Sequence, residues 1–404
     1  MISLREAYEI VVRQTPRLQA APVPLLAAPG RVLAEQVNAD INMPPFPRSS
    51  MDGYAVRTAD LAQIPSELHV IATIAAGSFP DFTLQPGQAA KIMTGAPVPP
   101  GADAVQMIEK TRAVGHGHAV EILEPVSAGA NITPKGSEAQ EGEIVLPAGS
   151  FISPAVIGLL AAVGKSDVAV YRAPVTGILT TGDELIEITA RPARAQIRNS
   201  NAYALCALVQ QAGGIPRLLG TARDQISDIR EKIAPGLQHD LLLLTGGVSM
   251  GDLDLVEEAF AQSGFEIFFD KVAVKPGKPV VFARSGATLI FGLPGNPVSA
   301  NTIFELLVRP AMRKMMGFTS HSNPVVRARL TERFVNRSGR EFYAPARVVY
   351  ENGVFFVHPL KSKGSGDVVS YAASNAYLIC PITRTEFKAD EEVEVMLRTE
   401  FFYH

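Results

Sequence analysis

Cysteine is nearly absent from this chain of 404 residues: there are two, Cys206 and Cys380, far apart in apolar helix-like and strand-like runs. That spacing argues against a disulfide framework or a cysteine metal site and predicts two buried free thiols in a reducing compartment. Charge of one sign is lacking too. With 37 Lys+Arg against 40 Asp+Glu the net charge is -3, so no global field draws the chain to nucleic acid or to an anionic membrane, and any cationic site must be local. No apolar run reaches the ~18 residues of a membrane helix. Arg5, Glu6 and Glu9 interrupt the apolar pattern at the N-terminus, which therefore lacks a signal-peptide layout. A cytoplasmic protein with no nucleic-acid or membrane partner is expected. No low-complexity tract or short internal repeat is present, and the length allows about two to four domains.

What is present is concentrated in loops that follow apolar runs. Leu241 to Asp254 reads LLLLTGGVSMGDLD: four leucines lead into a glycine turn with two hydroxyls and two carboxylates. This pattern predicts a buried parallel strand whose exit loop lies in the ligand crevice of an open α/β sheet. Gly246 and Gly247 would let backbone N–H groups approach an anion, with Ser249 beside them. A plain strand-to-helix turn capped by Asp252 or Asp254 fits the same residues. Val175 to Thr181 ends in Gly182, Asp183 and Glu184, and Thr288 to Gly292 ends in Leu293-Pro-Gly-Asn-Pro-Val-Ser299. Pro294, Gly295 and Asn296 form a rigid turn, Pro297 suits a first helical position, and the free N–H groups up to Ser299 suit an anion. None of these three loops contains histidine, so no Ser-His-Asp arrangement is suggested.

Lys271, Lys275 and Lys278 fall within eight residues, the last two bracketed by prolines. A polyproline-like segment, at about three residues per turn, would present Lys275 and Lys278 on one side as a fixed cationic pair; an ordinary solvated lysine loop is the plainer reading. His116 and His118 in VGHGHAV read as a solvated hairpin tip rather than a metal pair. Asp224, in ARDQISDIR, reads as a helix cap with Asp228 behind it.

Coarse periodicity predicts helices over Leu4–Val12, Pro154–Gly164 and Asn201–Gly213, and Arg309 to Met316 closes the α/β region. Short β-rich runs from Leu68 to about Glu124 suggest a small β domain. Strand-like alternation from Pro324 to Phe402, with turns at Asn352-Gly353 and Gly364-Ser-Gly366, suggests a β-barrel or sandwich.

Six stretches together resemble one family. They are MPPFPRSSMDGYAVR (Met43 to Arg57), KIMTGAPVPPGADAV (Lys91 to Val105), TGDEL (Thr181 to Leu185), TGGVSMGDLD, KVAVKPGKP and FGLPGNPVSA (Phe291 to Ala300). In this order they are similar to the molybdopterin molybdenumtransferases, the MoeA-like enzymes related to the gephyrin E domain. The resemblance implies a multidomain α/β and β fold: a central doubly wound molybdopterin-binding α/β domain, a small β-rich domain before it and a C-terminal β-barrel-like domain, in an elongated homodimer. The expected divisions are 1–45 with 130–170, an inserted 46–129, then 171–320 and 321–404.

The implied reaction inserts molybdenum from molybdate into adenylylated molybdopterin, with Mg²⁺-dependent release of AMP. Family carboxylates match Glu184, Asp224 and Asp254, with Asp252 as a further metal ligand, and the three lysines suit molybdate and phosphate as point charges. Asp52 and Thr94 match site residues that, in this family, reach the crevice of the other subunit, although each also reads as a turn residue before glycine. A transient contact with the molybdopterin adenylyltransferase is allowed as well.

Two departures stand out. The family's arginine and Gly-Glu-Asp are replaced by Lys135-Gly-Ser-Glu138, and its aromatic, any residue, arginine pattern meets Phe342-Tyr343-Ala344, with Arg347 three residues later. Two other readings use the same fold elements: a noncatalytic dimeric scaffold, and the adenylylating enzyme that shares the α/β domain type.

Overall fold

The computed structural model describes residues 1–247 and 255–403. It divides into two units, Met1–Pro22 with Ala169–His404, and Val23–Val168.

In the first unit the leucine run becomes the centre of a sheet. The strands lie in the order Ile215–Ala222, Val175–Thr181, Leu241–Thr245, Thr288–Leu293, Pro279–Ser285 and Glu266–Lys271. The first four are parallel and the last two antiparallel. Alternate leucines face opposite sides. Leu241 and Leu243 join one core with Leu205, Leu208 and Phe291, while Leu242 and Leu244 join another with Ile229, Ile233 and Phe260. A strand covered by helices on both faces needs an unbroken apolar run, which is why this one shows no polar alternation. Each fully buried leucine contributes roughly 1.5–3 kcal/mol, so a charge anywhere in 241–244 would break the sheet.

The opening helix, Leu4–Gln14, buries Leu4, Ala7 and Val11 and begins with a Ser3–Glu6 capping box. Its apolar face packs into the same core as Leu205 and Met312. Residues 1–22 therefore pack with the α/β region.

The C-terminal strands Val325–Leu330, Glu341–Glu351, Val354–Pro359, Ala376–Cys380 and Glu392–Leu397 close on themselves. Glu341–Glu351 pairs with both Val354–Pro359 and Ala376–Cys380, so the barrel reading holds over the sandwich. Asn352 and Gly353, at φ of 50° and 83°, make the tight hairpin their sequence predicts. One further pairing matters for the site: Val274–Lys275 runs parallel to the start of Glu341–Glu351, so the lysine segment is stitched to the barrel.

The second unit holds a six-stranded sheet in the order Ala104–Met107, Gly53–Val56, Gln88–Ile92, Ser66–Ile74, Ala119–Ile122 and Thr111–Val114. Tyr54 and Val56 pack on one face and Ala55 on the other. His116 and His118 sit at the tip between the last two strands in sequence, exposed, as a hairpin turn. Helix Pro154–Ala162 is capped by Ser153, with proline in its first turn.

Candidate functional site

Three strand ends of the α/β sheet meet where the sequence places its polar loops. Gly246 has φ of 100°, and a Cβ there would lie 2.2 Å from the Thr181 carbonyl oxygen, so only glycine lets the two loops approach. The Thr245 hydroxyl donates to the Pro294 carbonyl at 3.0 Å, and the Asn201 amide donates to Thr245 Oγ1 at 3.0 Å and to the Gly295 carbonyl at 2.7 Å. Asn199 caps the helix Ser200–Gln211 and also donates to the hydroxyls of Thr180 and Thr221, at 2.8 and 3.2 Å. These two asparagines, absent from the expected site, fasten the loops to one another. They enclose a cavity of about 70 Å³ whose lining includes Thr181, Glu184, Arg198, Gly246, Gly295 and Pro297. The Thr181 hydroxyl is buried there with no hydrogen-bond partner among the described residues. Gly247 follows at φ of 64°; Ser249, Asp252 and Asp254 lie outside the described residues.

Asp224 does not cap a helix. The helix Ile226–Gly236 starts after Gln225 without a side-chain cap, and Asp228 accepts from the Arg223 amide at 2.6 Å. The carboxylate of Asp224 accepts instead from the Asp183 amide at 3.3 Å, and that of Asp183 from the Asp224 amide at 3.4 Å, which locks two neighbouring strand ends together. Glu184 folds back over Gly182, where a Cβ would fall 2.5 Å from Glu184 Oε2. Among the described residues no three acidic or imidazole groups form a metal cluster. Asp183, Glu184 and Asp224 are the described carboxylates at these strand ends.

A second cavity, of about 330 Å³, opens on the other side of the same turn. Its walls are Lys275 to Pro279, then Pro294, Asn296, Val298 and Ser299, then Arg340, Phe342 and the Ser362–Ser365 segment. Lys275 and Lys278 both line it. Lys271 does not; it pairs with Asp270 at 3.0 Å. The segment is not polyproline-like, because Gly277 at φ of 112° turns the chain and packs against Ile303. Lys275 Nζ lies 4.3 Å from the Phe342 ring centroid. Burial, and then the like charge of Arg340, lower the Lys275 pKa from its usual 10.5.

Among the described residues no carboxylate lines this cavity. The helix start contributes less than expected, since the Val298 amide already donates to the Ser365 carbonyl at 3.0 Å. Arg340 was missed by sequence reasoning; its one signal is that it lies two residues before Phe342, on the same side of the strand. Ala344 packs in the barrel core and Arg347 is exposed opposite His358, so neither supplies the guanidinium.

In the second unit, Asp52 and Thr94 form a pair. Asp52 Oδ1 accepts from the Thr94 amide at 2.7 Å and from its hydroxyl at 2.9 Å. These two bonds hold the Asp52 pKa below its usual value. Glu138 pairs with Arg48 at 2.6 Å.

Three family models match in succession: the MoeA N-terminal region (domain I and II) over residues 2–164, the probable molybdopterin binding domain over 177–314, and the MoeA C-terminal region (domain IV) over 327–397. The chain belongs to the MoeA family. Among its MoeA relatives, a molybdopterin molybdenumtransferase of Nostoc is 37% identical over 98% of this chain and 94% of its own length. One of Bacillus subtilis is 36% identical over 92% of this chain and 88% of its own. A crystal structure of a molybdopterin biosynthesis MoeA protein from Pyrococcus horikoshii is 33% identical, with a TM-score of 0.84 over 98% of this chain and 100% of that one. The multidomain α/β and β architecture expected of a MoeA chain is thus present. The single-domain adenylylating reading is not, because matched regions flank the α/β domain on both sides.

Proposed function

We propose that this chain is a transferase of molybdenum cofactor biosynthesis that inserts molybdenum from molybdate into adenylylated molybdopterin and releases AMP. The observation that carries the reading is the cavity into which Lys275, Lys278 and Arg340 all face, with no carboxylate among the described residues of its walls. Three cations with no counter-charge among the described residues of the cavity suit a small dianion, and Arg340 adds a planar fork to the two ammonium groups.

The turn 294–299 divides this cavity from the strand-end crevice: Pro294, Asn296 and Ser299 face the cations, while Gly295 and Pro297 face Thr181 and Glu184. Molybdate held on one side therefore lies beside a phosphate tail held on the other. In the proposed reaction water opens the phosphoanhydride, AMP leaves, and the pterin keeps its own phosphate. The two dithiolene protons leave with one molybdate oxygen as water while both sulfurs bind molybdenum. Lys275, Lys278 and Arg340 orient the oxyanion for that exchange. Glu184 and Asp224, with Asp252 and Asp254, are the residues that would hold Mg²⁺, which supplies charge neutralisation on phosphate oxygens. Asp52 and Thr94 are assigned to the crevice of the partner subunit in a homodimer, and the cytoplasm, with transient contact to the adenylyltransferase, is the proposed setting.

The test supplies purified protein with adenylylated molybdopterin, molybdate and Mg²⁺ and follows AMP. Release that depends on molybdate is expected. Tight pterin binding without release would instead indicate a scaffold.

A further inference from the structure

One wall of the cation cavity has no regular structure of its own. Residues 360–367 link the strand Val354–Pro359 to the short helix Val368–Ala372, and within them Ser362, Gly364 and Ser365 face the cavity. Ser362 folds the segment locally, its hydroxyl donating to the Gly364 carbonyl at 3.0 Å and accepting from the Gly364 amide at 3.2 Å, and one carboxylate ties it to the helix. Asp367 Oδ2 accepts from the Lys363 amide at 2.9 Å and the Ser370 hydroxyl at 2.7 Å, and Oδ1 accepts from the Ser370 amide at 3.1 Å. The Asp367 amide closes the loop by donating to the Gly364 carbonyl at 3.1 Å. Gly364 itself has φ of 127°, which other residues rarely adopt.

The far end of the helix is fixed in the barrel. The Tyr371 hydroxyl meets that of Tyr377 at 2.7 Å, and the Arg398 guanidinium stacks 4.2 Å from the Tyr371 ring centroid while donating to the Ser374 hydroxyl at 2.7 Å. Asp367 thus joins an anchored helix to a wall that has few ties of its own. Further ties run from the Val298 amide to the Ser365 carbonyl, from the Ser370 hydroxyl to the Lys361 carbonyl at 3.3 Å and from the Leu360 amide to the Pro345 carbonyl at 3.1 Å.

We propose that Asp367 is a positioning residue of the oxyanion site, holding the Ser362–Ser365 wall against the cations through its bond from the Lys363 amide. The inference rests on the oxyanion reading of this cavity. The hydrogen bonds from Lys363 and Ser370 depress its pKa to about 2, so the latch stays charged at any working pH.

Serine at 367 separates this role from simple helix capping. A serine caps a helix about as well as aspartate by accepting from the Ser370 amide, but its single short oxygen cannot also hold the Lys363 amide. Asp367→Ser should keep the thermal midpoint near that of the parent while raising the KM for molybdate on the order of tenfold, the loss of one bond to a charged group, with kcat at saturation little changed. Asp367→Ala should show the same KM and a lower midpoint.

Calorimetric titration of molybdate into the parent, Lys275→Ala/Lys278→Ala and Asp367→Ser proteins decides the matter. If the parent binds molybdate, the lysine variant does not, and Asp367→Ser binds weakly at an unchanged midpoint, the inference stands. If Asp367→Ser binds like the parent while the lysine variant fails, the positioning role is wrong and the oxyanion site survives. If the parent does not bind, or the lysine variant binds equally well, the cavity reading fails and this inference falls with it.

Discussion

Two cationic places in the first unit treat charge in opposite ways. Arg309, only 1% exposed, is fully matched: it donates to both oxygens of Glu305 at 2.6 and 2.9 Å and to Gln211 at 2.7 Å, while Asn323 donates to Glu305 at 2.9 Å. Lys275, Lys278 and Arg340 line a cavity with no carboxylate among its described residues. Burying a charge without a partner is costly, so a structural cation carries its counter-ion with it. A cation without one raises the energy of the empty fold and gains its partner from a ligand. The first arrangement serves stability, the second binding.

Breaking the matched site should give the largest effect on stability. Arg309→Leu leaves Glu305 buried and uncompensated, for a loss of about 3–5 kcal/mol in urea unfolding; replacing Glu305 by leucine as well should recover part of it. A loss under about 1 kcal/mol would contradict the contrast.

Next in size is the guanidinium. Arg340→Ala should weaken molybdate binding on the order of tenfold, the worth of a bond to a charged group, whereas Arg347→Ala, on the exposed face, should leave it unchanged. Equal losses from both would show that the barrel side of the cavity has been misassigned.

The smallest effect is in pH. Burial and Arg340 lower the Lys275 pKa below 10.5, so between the lowered value and 10.5 the folded chain binds fewer protons than the unfolded one. This residue's contribution to stability therefore rises with pH across that window, while oxyanion affinity falls. Lys275→Met should remove both trends, as thermal melts and titrations at several pH values would show.

The same contrast explains what was legible in sequence. Local patterns held where one element decided the outcome: the leucine run as a buried parallel strand, Leu4–Val12 as an opening helix, Asn352-Gly353 as a turn, and His116 and His118 as a solvated tip. The close packing of loops was legible where glycine and carboxylate share one, as at Gly182 and Glu184. Reasoning along the chain missed Arg340, because Arg340 meets Lys275 through a parallel pairing of segments 65 residues apart that no local pattern encodes. It placed Lys271 in the cation set because three lysines at short spacing look alike until Asp270 takes one of them. Asp224 resembled a cap for the same reason, its true partner being an amide 41 residues earlier. Asn199 and Asn201 look like ordinary helix-start residues, and their second role depends on where three other loops end.

The most direct test of the uncompensated cavity is the thermal midpoint of the parent and of Lys275→Ala/Lys278→Ala, each with and without molybdate. A ligand at 100 times its Kd stabilises the fold by about 2.7 kcal/mol. The account predicts a clear upward shift in the parent, none in the variant, and an unliganded variant at least as stable as the unliganded parent. An equal molybdate shift in both proteins, or a variant that melts well below the parent without ligand, would contradict it.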